Sequence, residues 1–175
     1  VREWSEVAKE ARRNGKTVHV GRIFGICVEK NIQFAPGDPA RRYKGRIVYQ
    51  GNDIRDQDRQ LAFFDDVASS PAAMEAAKAV DAYGLIHGHV AEQADAQQAY
   101  IQSILGGTTR TWIRLPREWW PKDWDGMHDP VVPLEKALYG HPRAGQCWET
   151  FSQKVLLDNG FRRVNDGQAG GEKEE

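Results

Sequence analysis

The chain has 175 residues, of which 40% are hydrophobic and 28% are charged, and its formal net charge is −1. This composition is ordinary for a globular domain, and the length allows one hydrophobic core but is short for two. The near-zero net charge argues against a uniformly basic nucleic-acid-binding protein. No apolar run reaches the roughly 18 residues of a membrane helix, so no membrane partner is expected.

The charge is unevenly distributed along the chain. Residues 1–50 contain 11 Lys or Arg against 5 Asp or Glu, whereas residues 51–110 contain 4 against 9. A basic lobe beside an acidic one suits an enzyme that binds phosphates with one part and metal ions with another. The alternative is an uneven solvated surface.

The two cysteines, Cys27 and Cys147, fit a reducing compartment.

The first 50 residues predict a helix followed by a β-hairpin. The helix is predicted over residues 2–14, because apolar side chains recur there every three or four positions and Gly15 can end it. Residues 17–29 are rich in β-branched side chains and predict one or two strands, and residues 43–49 predict another. The turn at residues 36–39, Pro-Gly-Asp-Pro, joins them.

The middle of the chain is more polar. Residues 51–69 predict a loop around a small apolar patch. Ser70 and Pro71 predict the start of an alanine-rich helix that Gly84 ends. Residues 85–95 predict a strand whose last residue is an aspartate.

The last third predicts a turn at residues 106–107, a strand over 111–115 and a Pro- and Trp-rich ordered loop over 116–133. An amphipathic helix is predicted over 144–159, and a disordered tail over 166–175. The outline is an α+β fold, with an antiparallel sheet and packed helices. This last loop contains three tryptophans, Trp119, Trp120 and Trp124. Their expected role is to anchor the loop, and the alternative is stacking on a single-stranded template.

Asp95 is the first candidate for chemistry. Nucleotidyl transfer uses two divalent cations, and Mg²⁺ prefers oxygen ligands such as carboxylates. An aspartate at a strand end, followed by free backbone N–H groups over residues 96–99, would supply a metal ligand and a triphosphate cradle. The alternative is an aspartate that caps the next short helix.

Four segments together resemble the Ty1/copia-type retrotransposon reverse transcriptases, in the family's order and spacing over residues 17–165. The family motifs are D-V-K-T-A-F-L-N, R-Y-K-A-R-L-V-A-x-G, V-Y-M-x-Q-P-P-G-F and L-x-K-A-L-Y-G with a later Trp. The matching segments are, in the same order, Asp95–Gln102, Arg42–Gly51, Trp112–Pro116 and Pro133–Gly140 with Trp148.

The resemblance implies the fingers and partial palm of a right-hand RNA-directed DNA polymerase over residues 17–165, after an N-terminal helix or linker over 1–16. The implied substrates are an RNA or DNA template with its primer and deoxynucleoside triphosphates, and the implied cofactor is Mg²⁺ or Mn²⁺. Asp95 would be the catalytic metal ligand. Tyr100 would exclude a 2′-hydroxyl, with Gln98 and Ala99 beside it in the substrate site; a core tyrosine is the alternative.

Lys44 and Arg46 would hold the triphosphate, because alternate residues of a strand share one face. The alternative is a solvated basic edge strand. Arg143 stands where the family has Gln, in a loop that departs from the family pattern. It would contact phosphate or sugar, or else mark an inactive copy.

In the family a Tyr/Phe-x-Asp-Asp motif follows the Lys-Ala-Leu-Tyr-Gly segment, and none follows it in this sequence, which begins with Val rather than Met. The double aspartate Asp65-Asp66 precedes the first motif instead of following it and is interpreted as loop surface. We therefore expect an internal piece of a retrotransposon polyprotein that is catalytically incompetent alone. Its expected location is the cytoplasm, within virus-like particles, with the nucleus as a second location. The alternatives are a degenerate or domesticated non-catalytic nucleic-acid-binding module, and a structural remnant without a ligand.

Overall fold

A mixed β-sheet and four α-helices make up the part of the chain that the computed structural model describes, residues 1–64 and 74–162. The strands are β1 Arg2–Glu3, β2 Val18–Lys30, β3 Arg42–Tyr49, β4 Arg55–Asp56, β5 Arg110–Arg114 and β6 Pro130–Pro133. The helices are α1 Trp4–Arg13, α2 Met74–Gly84, α3 Ala99–Gln102 and α4 Ala144–Asp158.

The six strands follow the order β1-β6-β5-β2-β3, and β4 also pairs with β2. All pairings are antiparallel except that of β2 with β5, which runs in parallel from Val18 opposite Arg110 to Arg22 opposite Arg114. The α+β class is therefore confirmed, and the expected antiparallel sheet is corrected to a mixed one. The long connection between β2 and β5 allows the chain to return to the same end of the sheet, as a parallel pairing requires.

The hairpin is confirmed, with residues 18–30 forming one continuous strand. β2 and β3 pair from Ile23 opposite Tyr49 to Lys30 opposite Arg42. Two backbone hydrogen bonds close the predicted turn, from the N–H of Asp38 to the carbonyl of Ala35 and from the N–H of Arg41 to the carbonyl of Asp38. An ion pair of 2.7 Å joins Arg41 to Glu29 near the tip.

Helix α1 covers one face of the sheet, as its periodicity predicts. The helix residues Trp4, Val7 and Ala8 form one buried cluster with side chains of the sheet. The sheet contributes Val20, Trp112 and Val131. Burial of each large apolar side chain in this cluster contributes about 1.5–3 kcal/mol. Residues 2–13 therefore share the core of the sheet.

A second cluster lies around Tyr49, Ile54 and Ile113. Tyr49 is 1% exposed, and its backbone N–H donates to the carbonyl of Tyr139 over 2.7 Å. Gly140 has a φ of +87°, and a Cβ there would overlap the carbonyl oxygen of Tyr49. This close approach ties the Lys-Ala-Leu-Tyr-Gly segment to the end of β3.

Helix α2 ends at Gly84 as predicted, while its predicted start at Ser70 and Pro71 lies outside the described residues. The strand predicted over residues 85–95 is wrong: this segment forms turns and irregular backbone. A strand needs a hydrogen-bonded neighbour, and none of the described strands pairs with it. Its apolar side chains are exposed, with Val90 at 85%.

The loop predicted over 116–133 contains two short 3₁₀ turns and ends in strand β6, which sequence reasoning did not predict. Prolines stand at both ends of β6, with Pro130 and Val131 opposite β1 and Val132 and Pro133 opposite β5. The indole N–H of Trp120 donates to the carbonyl of Leu115 over 3.1 Å. Trp120 also packs on Trp124, which agrees with loop anchoring.

Helix α4 and its end at Gly160 are confirmed. The N–H of Gly160 donates to the carbonyl of Leu157, and the N–H of Phe161 donates to that of Leu156, as in a Schellman motif. Among the described residues the predicted apolar face stays largely uncovered, with Leu156 at 47% exposure. The predicted tail lies outside the described residues. No helix in the described part is both long and apolar enough to span a membrane.

Candidate functional site

Three of the residues predicted to bind a nucleotide line one cavity of about 410 Å³ beside edge strand β3. This β3 cavity is lined by Lys44, Arg46, Gln98, Ile101, Leu138 and Tyr139. The structure thus brings Gln98 together with Lys44 and Arg46, which lie about 50 positions earlier in the sequence. One side is cationic and polar, and the other is apolar and aromatic.

Positive charge is concentrated on this part of the hairpin. The strand register places Lys30 opposite Arg42, and Lys44 and Arg46 follow at alternate positions on the same face. The nearby charges of Lys30 and then Arg46 lower the pKa of Lys44. In residues 1–64 and 74–162, no carboxylate forms an ion pair with any of these four cations. The surface therefore attracts anions.

Tyr100 stands beside the cavity in helix α3 and is half-buried. Its ring packs on that of Tyr139 with centroids 4.6 Å apart and planes at 66°. Its carbonyl accepts hydrogen bonds from the N–H and the hydroxyl of Ser103. Ala99 begins the same short helix, after Gln98 in a left-handed backbone conformation. The tyrosine pair therefore has a defined orientation at the cavity wall.

Asp95 does not lie at a strand end, contrary to the prediction. It is exposed, belongs to the irregular segment before α3, and does not line the β3 cavity. Within the part of the chain that the structure describes, no group of three His, Cys, Asp or Glu side chains could hold a metal ion. The described residues alone do not fit the Mg²⁺ or Mn²⁺ site that the resemblance implies, since such ions need several oxygen ligands.

Arg143 lies at a different cavity, of about 370 Å³, where it immediately precedes α4. Its Nη1 donates to the carbonyl oxygen of Gly106 over 2.7 Å. His19, Phe64 and His141 line the same cavity. The structure therefore does not bring Arg143 together with the lysine and arginine of the β3 cavity.

Sequence reasoning missed two residues that line these cavities, Tyr139 in the β3 cavity and His141 in the cavity of Arg143. Tyr139 belongs to the Lys-Ala-Leu-Tyr-Gly segment, whose motif identifies it but does not indicate that its ring contacts Tyr100. His141 is 4% exposed and packs on the rings of Tyr49 and Phe64. Burial lowers the pKa of His141 to about 4. No periodic pattern in the sequence predicts this burial.

Comparison with known families identifies the family of this chain. A family model described as reverse transcriptase (RNA-dependent DNA polymerase) matches residues 34–170, which is more than half of the chain. The match includes β3, α3, the Lys-Ala-Leu-Tyr-Gly segment and α4. Searches of curated proteins and of solved structures give no significant match. The chain belongs to the reverse transcriptase (RNA-dependent DNA polymerase) family.

Proposed function

We propose that this chain is the fingers and partial palm of a Ty1/copia-type reverse transcriptase, and that the β3 cavity receives the incoming deoxynucleoside triphosphate. The observation that carries the proposal is the convergence of Lys44, Arg46 and Gln98 on one cavity. Both cations lack an ion-pair partner in the described part of the chain, so they are free to bind phosphate.

The lining suggests a role for each side. Arg46 binds phosphate oxygens with its planar fork, and Lys44 adds a point charge. Ile101, Leu138 and Tyr139 offer apolar surface to the sugar and base. Tyr100, held against Tyr139, is the proposed group that excludes a 2′-hydroxyl. The partners are a template-primer and the nucleotide.

Asp95 remains the proposed catalytic ligand for Mg²⁺ or Mn²⁺, on the resemblance alone. Its exposed position, where no two other potential ligands among residues 1–64 and 74–162 could share an ion with it, supports the proposal that the chain alone binds its substrates without extending a primer. From the same resemblance we propose an origin in a retrotransposon polyprotein. The proposed location is cytoplasmic virus-like particles, with the nucleus second.

A direct test measures dATP binding by titration calorimetry. Arg46→Ala and Lys44→Ala should each weaken binding about tenfold, as expected for a charge-assisted hydrogen bond at an exposed site. Arg13→Ala and Lys9→Ala, which remove the same charge from the exposed side of α1, are the controls. Equal weakening in controls and test variants would show that the binding is non-specific and would contradict the proposal.

A non-catalytic nucleic-acid-binding module is the second candidate, favoured by the position of Asp95. Because both candidates predict no primer extension by the chain alone, dATP binding measured with and without Mg²⁺, on the unmodified protein and on Asp95→Ala, separates the two. The module predicts no extension, and nucleotide binding that Mg²⁺ and Asp95→Ala leave unchanged. Extension that survives purification and is lost in Asp95→Ala would reject both the module and the proposal that the chain alone is inactive.

A further inference from the structure

The cavity of about 370 Å³ that contains Arg143 has a lining that the proposed function does not use. This Arg143 cavity lies between β2, β5, the turn at residues 106–107 and the start of α4. None of the described residues lines both this cavity and the β3 cavity. Its volume falls in the range of small-molecule sites, which is about 300–1,000 Å³.

One permanent positive charge lies in the Arg143 cavity. The Nη1 of Arg143 donates to the carbonyl oxygen of Gly106 over 2.7 Å. Gly107 has a φ of +117°, and a Cβ there would overlap the guanidinium group. Arg143 forms no ion pair within the described residues, and no Asp or Glu is among the described residues that line the cavity. The guanidinium is therefore held in place with its charge unneutralised, which suits a bound anion.

Aromatic rings form much of the cavity wall. His19 and His141 are 8% and 4% exposed, and the ring of Phe64 packs on both, with centroid distances of 5.1 and 5.6 Å. Burial lowers the pKa of both histidines, so both imidazole rings are neutral near pH 7. The wall thus offers flat rings without a second charge, and it favours a ligand that itself contains a flat ring.

His141 also contributes a hydrogen-bond donor without an acceptor. Its Nδ1 accepts the backbone N–H of Arg143 over 3.2 Å, so the proton of the neutral ring lies on Nε2. No described residue accepts a hydrogen bond from this nitrogen. Because a buried donor is unfavourable without an acceptor, the wall favours a ligand that carries oxygen atoms.

We propose that the Arg143 cavity binds a small aromatic carboxylate, with the carboxylate on Arg143 and the ring against Phe64. A carboxylate matches the planar fork of a guanidinium group, and a flat ring matches the rings of the wall. The single permanent charge favours a monoanion over a triphosphate. The proposal goes beyond the proposed function, because it does not need the β3 cavity to bind a nucleotide.

The test titrates the protein with benzoate and follows the histidine ring resonances by NMR. The resonances of His19 and His141 should shift together, because the ligand ring would lie beside both, with a Kd of about 1 mM for a ligand of this size. His128 is exposed and does not line the cavity, so its resonance should not shift. The single variants His19→Asn, His141→Asn and His128→Asn assign the resonances. Equal shifts at His128, or none at the two cavity histidines well above that concentration, would overturn the site.

Two relatives of benzoate separate the two parts of the recognition. Benzamide has the ring without the charge and should bind about tenfold more weakly than benzoate. Cyclohexanecarboxylate has the charge without the flat ring and should bind about threefold more weakly. Equal affinity of benzamide would overturn the binding of an anion, and equal affinity of cyclohexanecarboxylate would overturn the aromatic part of the proposal.

Arg143→Gln should weaken benzoate binding about tenfold, because it removes the charge and the guanidinium fork. The control Arg13→Gln removes the same charge from the exposed side of α1 and should leave the affinity unchanged. Undiminished binding by Arg143→Gln, or equal weakening in the control, would contradict the proposal. Should Arg143→Gln fail to fold, the three ligands and the histidine shifts of the unmodified protein decide.

A dATP titration keeps the two proposals apart. Because Arg143 does not line the β3 cavity, dATP should neither displace benzoate nor shift the resonance of His141. Displacement of benzoate by dATP would show that the Arg143 cavity belongs to the nucleotide site and would overturn a separate site. Failure of dATP to bind at all would reject the proposed function and leave the proposal for the Arg143 cavity unaffected.

Discussion

Acidification below pH 6.5 should destabilise this protein through His141. This side chain is 4% exposed, and its Nδ1 accepts a hydrogen bond of 3.2 Å from the backbone N–H of Arg143. The proton of the neutral ring therefore lies on Nε2, for which the described residues offer no hydrogen-bond partner. Burial, and then the positive charges of Arg143 and His19, lower the pKa of His141 from 6.5 to about 4.

The sign follows from proton binding in the two states. Between pH 6.5 and pH 4 the unfolded chain binds a proton at this position and the folded chain does not, so the free energy of unfolding falls as the pH falls. The two pKa values differ by about 2.5, and each pKa unit corresponds to 1.36 kcal/mol, so the loss is about 3 kcal/mol. This is a large part of the roughly 5–15 kcal/mol that stabilises a typical domain.

The assay is urea unfolding at neutral pH and near pH 4, on the unmodified protein and on His141→Asn. The amide oxygen of asparagine can accept the bond from the N–H of Arg143 but cannot take up a proton. Carboxylates and His19, whose pKa is also lowered by burial, titrate in both proteins and cancel in the comparison. The unmodified protein should lose about 2–3 kcal/mol more than His141→Asn on acidification.

His128→Asn is the matched control, because His128 is exposed. It should retain the acid sensitivity of the unmodified protein. Parallel losses of stability in the unmodified protein and His141→Asn would refute the reasoning, since they would mean that His141 titrates alike in the folded and unfolded states.

Three further predictions concern the segments around the β3 cavity and the core. Gly140→Ala should lower the free energy of unfolding by about 2 kcal/mol or more in urea titrations, because of its positive φ and the overlap of a Cβ with the carbonyl of Tyr49. The control Gly45→Ala, which meets open space, should change it by less than about 0.5 kcal/mol. Val131→Ala, at a fully buried position, should cost about 2 kcal/mol, and an unchanged urea midpoint would contradict the packing described for α1. Tyr139→Leu should reduce the preference for dATP over ATP in competition titrations while Tyr139→Phe retains it; equal preferences in the two variants would argue against a role of the ring.

Helix α1, the hairpin and helix α4 could be predicted from the sequence because their signals are local. The spacing of Trp4, Val7 and Ala8 fixes the buried face of α1, and glycine fixes the end of α4. The strand expected over residues 85–95 could not be judged this way, because a strand depends on a neighbour that is distant in sequence. Strand β6 was missed for the same reason: it is short, and its pairing partners β1 and β5 lie elsewhere in the chain.

The candidate site likewise has features that the sequence predicted and features that depend on the tertiary structure. The motif around Lys44 and Arg46 and the motif before Tyr100 identify the family from the sequence, since each is a short run of residues in a fixed order. Their meeting at one cavity, the contact of Tyr100 with Tyr139, and the separate position of Arg143 depend on tertiary packing. Periodicity and turn chemistry act over a few residues, whereas burial and charge pairing depend on which distant strands and loops the folded chain brings together.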